Sequence, residues 1–321
     1  MSTSRRGFLK MMAAGTAAAA VAPMATLAES RTPTASGAGA PRVNGPAWSP
    51  RSLERVNGVD LFVRDTGPGM PSLLCLHGMQ GRGETFDELI RRYRDRYRVI
   101  APDQRGHGFS GRPVARYAAE DFAEDAYQLL LRRHAAPAVV VAHSLSGRFA
   151  PVLAARHPEV VRGVVLLDPA PGDGPPRPAD TPPASIPDRD PMLEDWPLPY
   201  PSRAEALRDL GERFPGPVYP GFFAESLVET VAGYHFMWSG RAMAAIHAYG
   251  QDTDRFLPEI RCPVLLVRAT QSRVCTPEQA GRVRELVRDC GFVEIEGGHM
   301  VYLENPDATF RALDDWLAKL G

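Results

Sequence analysis

The sequence predicts an α/β fold in which a mostly parallel central sheet is flanked by helices, with a helical cap inserted between two sheet strands. Short apolar runs alternate with amphipathic helical patterns, which is typical of parallel strands joined by right-handed crossovers. Polar residues and glycines follow several of these runs, at the strand ends where such sheets place their binding sites. The alternation stops for about 80 residues and then resumes, which indicates an inserted segment.

Length and composition indicate a soluble globular protein without a nucleic-acid partner. The 321 residues are enough to bury a large core, and 44% of them are apolar. The 37 Lys and Arg residues nearly balance the 38 Asp and Glu residues, so the net charge is -1. Almost all of the basic residues are arginines, and they are scattered along the chain. A basic surface for nucleic acid is therefore not expected.

The first 28 residues are typical of an export signal. Arg5 and Arg6 precede the weakly apolar, alanine-rich run MMAAGTAAAAVAPMATLA. Paired arginines in this position resemble a twin-arginine signal, the bacterial type that sends folded proteins across the membrane. The resemblance implies recognition by the twin-arginine export machinery, removal of residues 1–28, and a periplasmic or extracellular mature protein. Pro23 and the many alanines argue against a stable membrane anchor.

The remaining chain divides into a linker and a folded core. Residues 29–50 are rich in Pro, Gly, Ala and Ser and are predicted to be a flexible linker. The core is predicted to span residues 51–170 and 251–321 and to begin with a hairpin in VNGVDLFVRD. The later strands are predicted in SLLCLHG, YRVIAPD, AVVVAHS, VRGVVLLDPAP, CPVLLVRA and FVEIEGG. The helices between and after them are predicted in ETFDELIRRYRD, AEDFAEDAYQLLLRRHAA, LSGRFAPVLAARHP, PEQAGRVRELVRD and PDATFRALDDWLAKL.

Residues 171–250 break the alternation and are predicted to form a cap or lid. The beginning of this segment is too rich in proline for a helix or a strand, and the rest reads as helical and aromatic. Its aromatic residues favour either a small core of the cap itself or the wall of an apolar pocket over the sheet edge. The candidates for such a wall are Phe222, Phe223, Phe236 and Trp238.

Ser144 is the candidate nucleophile. It stands between a predicted strand and a predicted helix in VVVAHSLSGRF, with Ala142 and Ser146 two residues away on either side. A tight strand-to-helix turn needs such small flanking residues, and it exposes the hydroxyl above the sheet. Ser146 is a poorer candidate because one of its own flanking positions is Arg148, which does not fit the inner side of the turn. Taken alone, the string is also explained by a serine that caps a helix.

Further motifs follow other predicted strands. His77-Gly78 ends one strand in a glycine, DQRGHGFSGRP fills the next loop, and GGHMVYLENP places His299 on a glycine-rich turn near the end of the chain. Together with the serine turn, and in this order, the motifs resemble those of the α/β-hydrolase superfamily, specifically its lid-bearing serine hydrolases. The resemblance covers about residues 51–321. Ser144 before His299 agrees with the order of nucleophile, acid and histidine in that family.

The resemblance implies roles for individual residues. Ser144 would attack a carbonyl carbon, and His299 would take the serine proton and later pass it to the leaving group. The backbone N–H groups of Leu145 and Met79 would form the oxyanion hole.

The position of the catalytic acid in this sequence differs from the commonest pattern of the family. Most members carry it after the strand that corresponds to PVLLVRA, but no carboxylate occurs here between Glu259 and Glu278. In some relatives it lies one strand earlier, which corresponds to Asp168 in VVLLDPAP. A carboxylate at the end of so apolar a strand is costly unless it is paired, which suits holding His299 in the required tautomer. An alternative stays open in which Asp168 is only a turn residue. The acid is then Glu278, or Ser144 and His299 act as a dyad without an acid.

No cofactor or metal ion is expected. The sequence has no H-E-x-x-H, P-loop or dinucleotide-binding glycine pattern. Its four cysteines lack metal-type spacing, and a disulfide between Cys262 and Cys290, each of which precedes a predicted strand, stays open.

The resemblance implies an exported serine hydrolase for an ester, lactone or related acyl bond of a small, partly apolar substrate. Ser144 argues against haloalkane dehalogenases and epoxide hydrolases, which need a carboxylate at that position. Carbon–carbon bond hydrolases and cofactor-free oxygenases or perhydrolases of the same superfamily use a similar serine and histidine, and they stay open. A non-catalytic binding protein is the alternative of another class, and it predicts that Ser144 and His299 are not in contact.

Overall fold

A computed structural model describes residues 51–69, 71–172, 181–249 and 252–320. The predicted export signal and the predicted linker, residues 1–28 and 29–50, lie outside the described residues. None of the helices in the described ranges has the length and apolar character needed to cross a membrane.

The core of the fold is an eight-stranded, mostly parallel sheet. The strands in chain order are β1 (Arg51–Val56), β2 (Val59–Asp65), β3 (Ser72–Leu76), β4 (Arg98–Pro102), β5 (Ala138–His143), β6 (Val161–Leu167), β7 (Leu227–Thr230), β8 (Gly233–Phe236), β9 (Val264–Ala269) and β10 (Cys290–Ile295). The sheet order is β1-β2-β4-β3-β5-β6-β9-β10, while β7 and β8 form a separate hairpin. Strand β2 pairs antiparallel with β1 and β4, and the other pairs in the sheet are parallel.

Helices cover both faces of this sheet. The α-helices of the described residues are α1 (Asp87–Tyr93), α2 (Ala119–Arg132), α3 (Ala150–Arg156), α4 (Arg203–Arg213), α5 (Tyr219–Ala224), α6 (Gly240–Ala248), α7 (Pro277–Leu286), α8 (Val301–Glu304) and α9 (Pro306–Leu317). Leu73 and Cys75 of β3 are buried in one cluster with α1 and α9, whereas Leu74 and Leu76 are buried in another with α2 and α3. Successive side chains of a strand point to opposite faces, so each apolar run supplies both clusters. The predicted fold class is confirmed.

Residues 181–249, between β6 and β9, form an inserted segment that contains α4, α5, α6 and the β7–β8 hairpin. The sequence predicts helices here, and the hairpin is a difference from that expectation. Each of its strands has four residues, which is too short for a period-two pattern to stand out. At the turn, Gly233 has a φ of 120°, a conformation that glycine adopts without strain. The buried side chains of the segment continue the cluster around α2 and α3.

The loop DQRGHGFSGRP is held by buried charges. Asp103 accepts hydrogen bonds from the backbone N–H groups of Gly83 and Phe109, at 2.8 and 3.0 Å, and pairs with Arg64 at 2.9 Å. A Cβ atom at residue 108, a glycine with a φ of 54°, would overlap the Asp103 carboxylate. Asp103 and Gly108 of this motif therefore hold the loop in place beside the sheet edge.

Replacing Arg105 in this loop with methionine is expected to lower the free energy of unfolding by about 3–5 kcal/mol. Arg105 Nε and one terminal nitrogen each lie 2.6 Å from an oxygen of Asp125, and both side chains are buried. The variant leaves the Asp125 carboxylate buried without its cation. Urea unfolding of Arg105→Met measures the loss. Arg91→Met, which breaks a half-exposed pair with Glu88, is the control and should change the value by about 0.5 kcal/mol at most; equal effects of the two variants would contradict the account.

Candidate active site

Ser144 lies at a strained turn above the end of β5. It begins the 3₁₀ turn Ser144–Gly147 with a φ of 52°, which is uncommon for a residue other than glycine and typical of functional turns. The turn packs directly against the loop after β6, because a Cβ atom at Gly147 would overlap Pro169. The backbone N–H of Ala170 donates to the Ser144 carbonyl at 2.9 Å. Residues 144–147 and the end of β6 therefore hold each other in place.

Three buried side chains form a continuous chain of hydrogen bonds at this edge. Ser144 Oγ lies 2.7 Å from His299 Nε2, and His299 Nδ1 lies 2.6 Å from Asp168 Oδ2. An ionised carboxylate only accepts hydrogen bonds, so Nδ1 carries the ring proton and Nε2 can accept the serine proton. The arrangement lowers the cost of removing that proton as the hydroxyl attacks an electrophile.

Asp168 directly follows β6 and is fixed by the neighbouring strand β9. Its backbone N–H donates to the Val267 carbonyl at 2.7 Å, and its Oδ1 accepts from the backbone N–H of Ala269 at 2.9 Å. Oδ2 accepts from Ser272 Oγ at 2.5 Å in addition to His299. Ser272 belongs to the loop after β9 that has no carboxylate. This loop thus contributes a hydroxyl to the carboxylate that follows β6, while Glu278 is exposed at the start of α7.

Ser146, the rival serine, faces another part of the structure. Its Oγ donates to the His77 carbonyl at 2.5 Å and accepts from Gln104 Nε2 at 3.3 Å. The hydroxyl therefore joins the loops after β3 and β4 and is not presented to His299.

The loop after β3 packs tightly on the Ser144 turn. A Cβ atom at Gly78 would lie 2.8 Å from His143 Nδ1 and 3.0 Å from Ser144 Cβ, so this approach requires glycine. Met79 follows and lines a cavity that also contains Ser144. The two predicted oxyanion-hole residues thus lie beside the serine, with Leu145 as its neighbour in the chain and Met79 in the cavity wall.

The cavity at Ser144 is largely apolar. Its apolar wall consists of Met79, Met192, Leu193, Phe222, Met243 and Met300, and its polar lining consists of Gln80, His143, Ser144, Asp190, His247 and His299. Half of these twelve described residues belong to the inserted segment, which therefore forms part of the cavity wall.

The predicted aromatic wall is only partly found. Phe222 lines the cavity, but Phe223, Phe236 and Trp238 are buried within the inserted segment around Trp196, at ring-centroid distances of 5.8, 5.5 and 6.3 Å. Phe222 and Phe223 are successive residues of α5 and so point about 100° apart around the helix. Phe223 consequently packs into the core of the segment, together with the other two aromatic residues.

Sequence reasoning missed His143 as a support for the catalytic candidate His299. A backbone carbonyl only accepts, so His143 Nε2 donates its proton to the His299 carbonyl, at 3.0 Å. Burial lowers the pKa of His143 well below its usual value, which keeps the ring neutral at this contact. Its position directly before Ser144 was the only signal in the sequence. Nothing in the sequence pointed to Ser272, or to Asp190 and His247 as partners.

The described residues contain no group of three or more His, Cys, Asp or Glu residues suited to a metal ion. Cys75, Cys262, Cys275 and Cys290 all lie in the described ranges and are free thiols.

Comparison with known proteins relates this architecture to a family. The model of the alpha/beta hydrolase family matches residues 73–312. The 2-(acetamidomethylene)succinate hydrolase of Mesorhizobium japonicum is 29% identical over 269 residues, which cover 81% of this chain and 92% of that protein. Lipase LipV of Mycobacterium tuberculosis is 29% identical over 255 residues, or 77% of this chain and 94% of the lipase.

A solved structure shows the same similarity in three dimensions. The crystal structure of E-2-(acetamidomethylene)succinate hydrolase superposes with a TM-score of 0.71 at 26% identity, covering 84% of this chain and 99% of the other.

Proposed function

This chain belongs to the alpha/beta hydrolase family and is a hydrolase, and we propose that it uses Ser144 to cleave an ester, lactone or related acyl bond of a small, partly apolar substrate. The observation that carries the proposal is the unbroken contact from Ser144 Oγ through His299 to Asp168. The apolar cavity at Ser144 supports a substrate with an apolar acyl or ring group.

The proposed reaction proceeds through an acyl-enzyme. Ser144 Oγ attacks the carbonyl carbon while His299 Nε2 takes the hydroxyl proton, and the carbonyl oxygen becomes an oxyanion held by the N–H groups of Leu145 and Met79. The tetrahedral intermediate collapses as His299 gives its proton to the leaving alcohol. Water then attacks the acyl-serine with His299 as the base, which releases the acid and restores the serine. Asp168 stabilises the imidazolium in both halves.

The remaining possibilities differ in what they predict for this site. A non-catalytic binding protein does not require an aligned serine, histidine and aspartate, so the contacts favour an enzyme. Carbon–carbon bond hydrolysis and cofactor-free oxygenase or perhydrolase chemistry use the same groups, and they are distinguished by substrate. Purified protein should therefore be assayed on short-chain and medium-chain esters and small lactones. Release of acid supports the proposal, whereas turnover of a β-diketone with none of any ester or lactone would favour carbon–carbon cleavage.

Replacing Ser272 with alanine is expected to lower kcat about tenfold with little change in KM. The variant removes a hydrogen bond to the Asp168 carboxylate, which the proposed mechanism needs most when the imidazolium forms. Ser272 acts through Asp168 and is a positioning residue. Steady-state kinetics on one ester measure the effect, and Ser272→Thr, which keeps a hydroxyl, should recover most of the rate. A variant in which KM rises while kcat stays unchanged would contradict this role.

We extend the proposal to the inserted segment and to export. The segment supplies half of the described residues that line the cavity, which supports a cap or lid over Ser144. Arg5, Arg6 and the alanine-rich run after them support export by the twin-arginine route. Cell fractionation tests the second point: a mature form without residues 1–28 in the periplasm or medium agrees with it, and a full-length cytoplasmic protein contradicts it.

A further inference from the structure

A second pair of histidine and aspartate faces the cavity from the inserted segment. His247 lies in the last turn of α6, and Asp190 precedes the 3₁₀ turn Pro191–Leu193. His247 Nδ1 and Asp190 Oδ2 are 2.5 Å apart, and their side chains are 17% and 2% exposed. Both residues line the same cavity as Ser144 and His299. The proposed hydrolytic mechanism uses neither of them.

The geometry of the pair determines what His247 offers to a ligand. Asp190 Oδ1 accepts the backbone N–H of Met192 at 2.8 Å, which orients the carboxylate. An ionised carboxylate accepts from Nδ1–H, so the neutral ring has its lone pair at Nε2. Within the described ranges Nε2 makes no hydrogen bond. The cavity wall thus contains a hydrogen-bond acceptor that is held in orientation and is available to a ligand.

The charges around the cavity favour an uncharged ligand. Asp190 lies in the wall, and Asp168 lies directly behind His299. The described residues that line the cavity include no lysine or arginine. A carboxylate on the substrate would lie near Asp190 and Asp168, at short range and away from bulk water, and no lysine or arginine among the described lining residues would pair with it.

We propose that His247, oriented by Asp190, determines substrate specificity by accepting a hydrogen bond from a hydroxyl or amide N–H group of an uncharged acyl substrate. The inference rests on the proposed hydrolysis at Ser144 and names the substrate class of that site. It separates this chain from the relative that is named for a succinate, since a free carboxylate on the substrate is disfavoured here. A substrate without a hydrogen-bond donor leaves the buried acceptor of His247 unpaired, and enzymes discriminate strongly against substrates with such a mismatch.

Competing esters of matched size test the inference. Methyl butyrate has no donor, methyl 2-hydroxybutyrate and methyl 3-hydroxybutyrate have a hydroxyl, methyl N-acetylglycinate has an amide N–H, and monomethyl succinate has a carboxylate. We expect at least one donor ester to exceed methyl butyrate about tenfold in kcat/KM, and monomethyl succinate to fall at least about tenfold below it. The donor that is preferred identifies the group that His247 binds.

Variants of His247 and Asp190 separate the preference for a hydrogen-bond donor from the exclusion of a carboxylate. His247→Ala should bring the ratio of donor ester to methyl butyrate close to one, whatever its absolute rate. Asp190→Asn keeps an acceptor for the Met192 N–H but removes the charge, and it should raise the relative rate on monomethyl succinate. His235→Ala changes another histidine of the inserted segment, outside the cavity lining, and should leave both ratios unchanged. Thermal melting identifies any variant that fails to fold, and the other member of the pair then carries the test.

The outcomes distinguish this inference from the proposed function. Hydrolysis of methyl butyrate without a donor preference, a preference that survives His247→Ala, or monomethyl succinate as the best ester overturns the role of His247 and leaves Ser144 hydrolysis intact. Absence of hydrolysis of every ester, with no reaction of Ser144 towards an acylating or phosphonylating probe, overturns both.

Discussion

Replacing Ser144 with alanine is expected to lower kcat/KM for acyl-bond hydrolysis by about 10⁴-fold or more. The variant removes the only oxygen that His299 Nε2 contacts among the described residues, at 2.7 Å. His299 and Asp168 keep their positions but have no nucleophile to activate. The residual rate then comes from substrate binding and the oxyanion hole alone. Initial rates on the best ester of the panel, with enzyme concentrations matched by absorbance, measure the loss.

Ser146→Ala is the matched control for this prediction. Ser146 is two residues away and buried, but its hydroxyl is bound to the His77 carbonyl. We expect a loss of less than about tenfold. If Ser146→Ala loses as much activity as Ser144→Ala, or if Ser144→Ala stays active, the assignment of the nucleophile is wrong.

Asp168→Asn is expected to lower kcat by about 10³-fold to 10⁴-fold with a smaller effect on KM. Asparagine fills the same space and can still accept from the backbone N–H of Ala269. It no longer stabilises the imidazolium, and its amide can donate to His299 Nδ1, which places the ring proton on Nε2 and blocks proton transfer from Ser144. Steady-state kinetics alongside wild-type protein measure the loss.

The control for this second prediction is Glu278→Gln, because Glu278 is the other carboxylate that the sequence left open as the acid. It is exposed at the start of α7, and its replacement should leave kcat within about twofold. A large loss in Glu278→Gln with an active Asp168→Asn would reverse the assignment. Loss in neither variant would favour a dyad of Ser144 and His299.

The sheet and the order of the motifs along the chain could be predicted from the sequence. The central strands β3, β4, β5, β6 and β9 are mostly apolar runs that fill both faces, so their signal does not depend on distant contacts. The same holds for Asp168: the missing carboxylate between Glu259 and Glu278, together with an aspartate ending the strand VVLLD, can be read along the chain. The structure places this aspartate 2.6 Å from His299.

The inserted segment was harder to predict because its contacts are long-range. Asp190 and His247 are 57 residues apart and meet only through the packing of α6 on the segment before it. Ser272 is separated by 104 residues from the carboxylate it binds. Phe222 and Phe223 have identical side chains, and which of them lines the cavity depends on where the cavity lies relative to α5. No local pattern encodes such pairings.

Labelling with a fluorophosphonate probe, followed by mass spectrometric mapping of the modified residue, tests the central claim most directly. The probe phosphonylates a serine only where a neighbouring base activates the hydroxyl. We predict that wild-type protein is modified at Ser144, that Ser144→Ala is not modified, and that His299→Ala reacts much more slowly. Absence of modification under conditions where a control serine hydrolase reacts, or modification at another residue, would contradict the account.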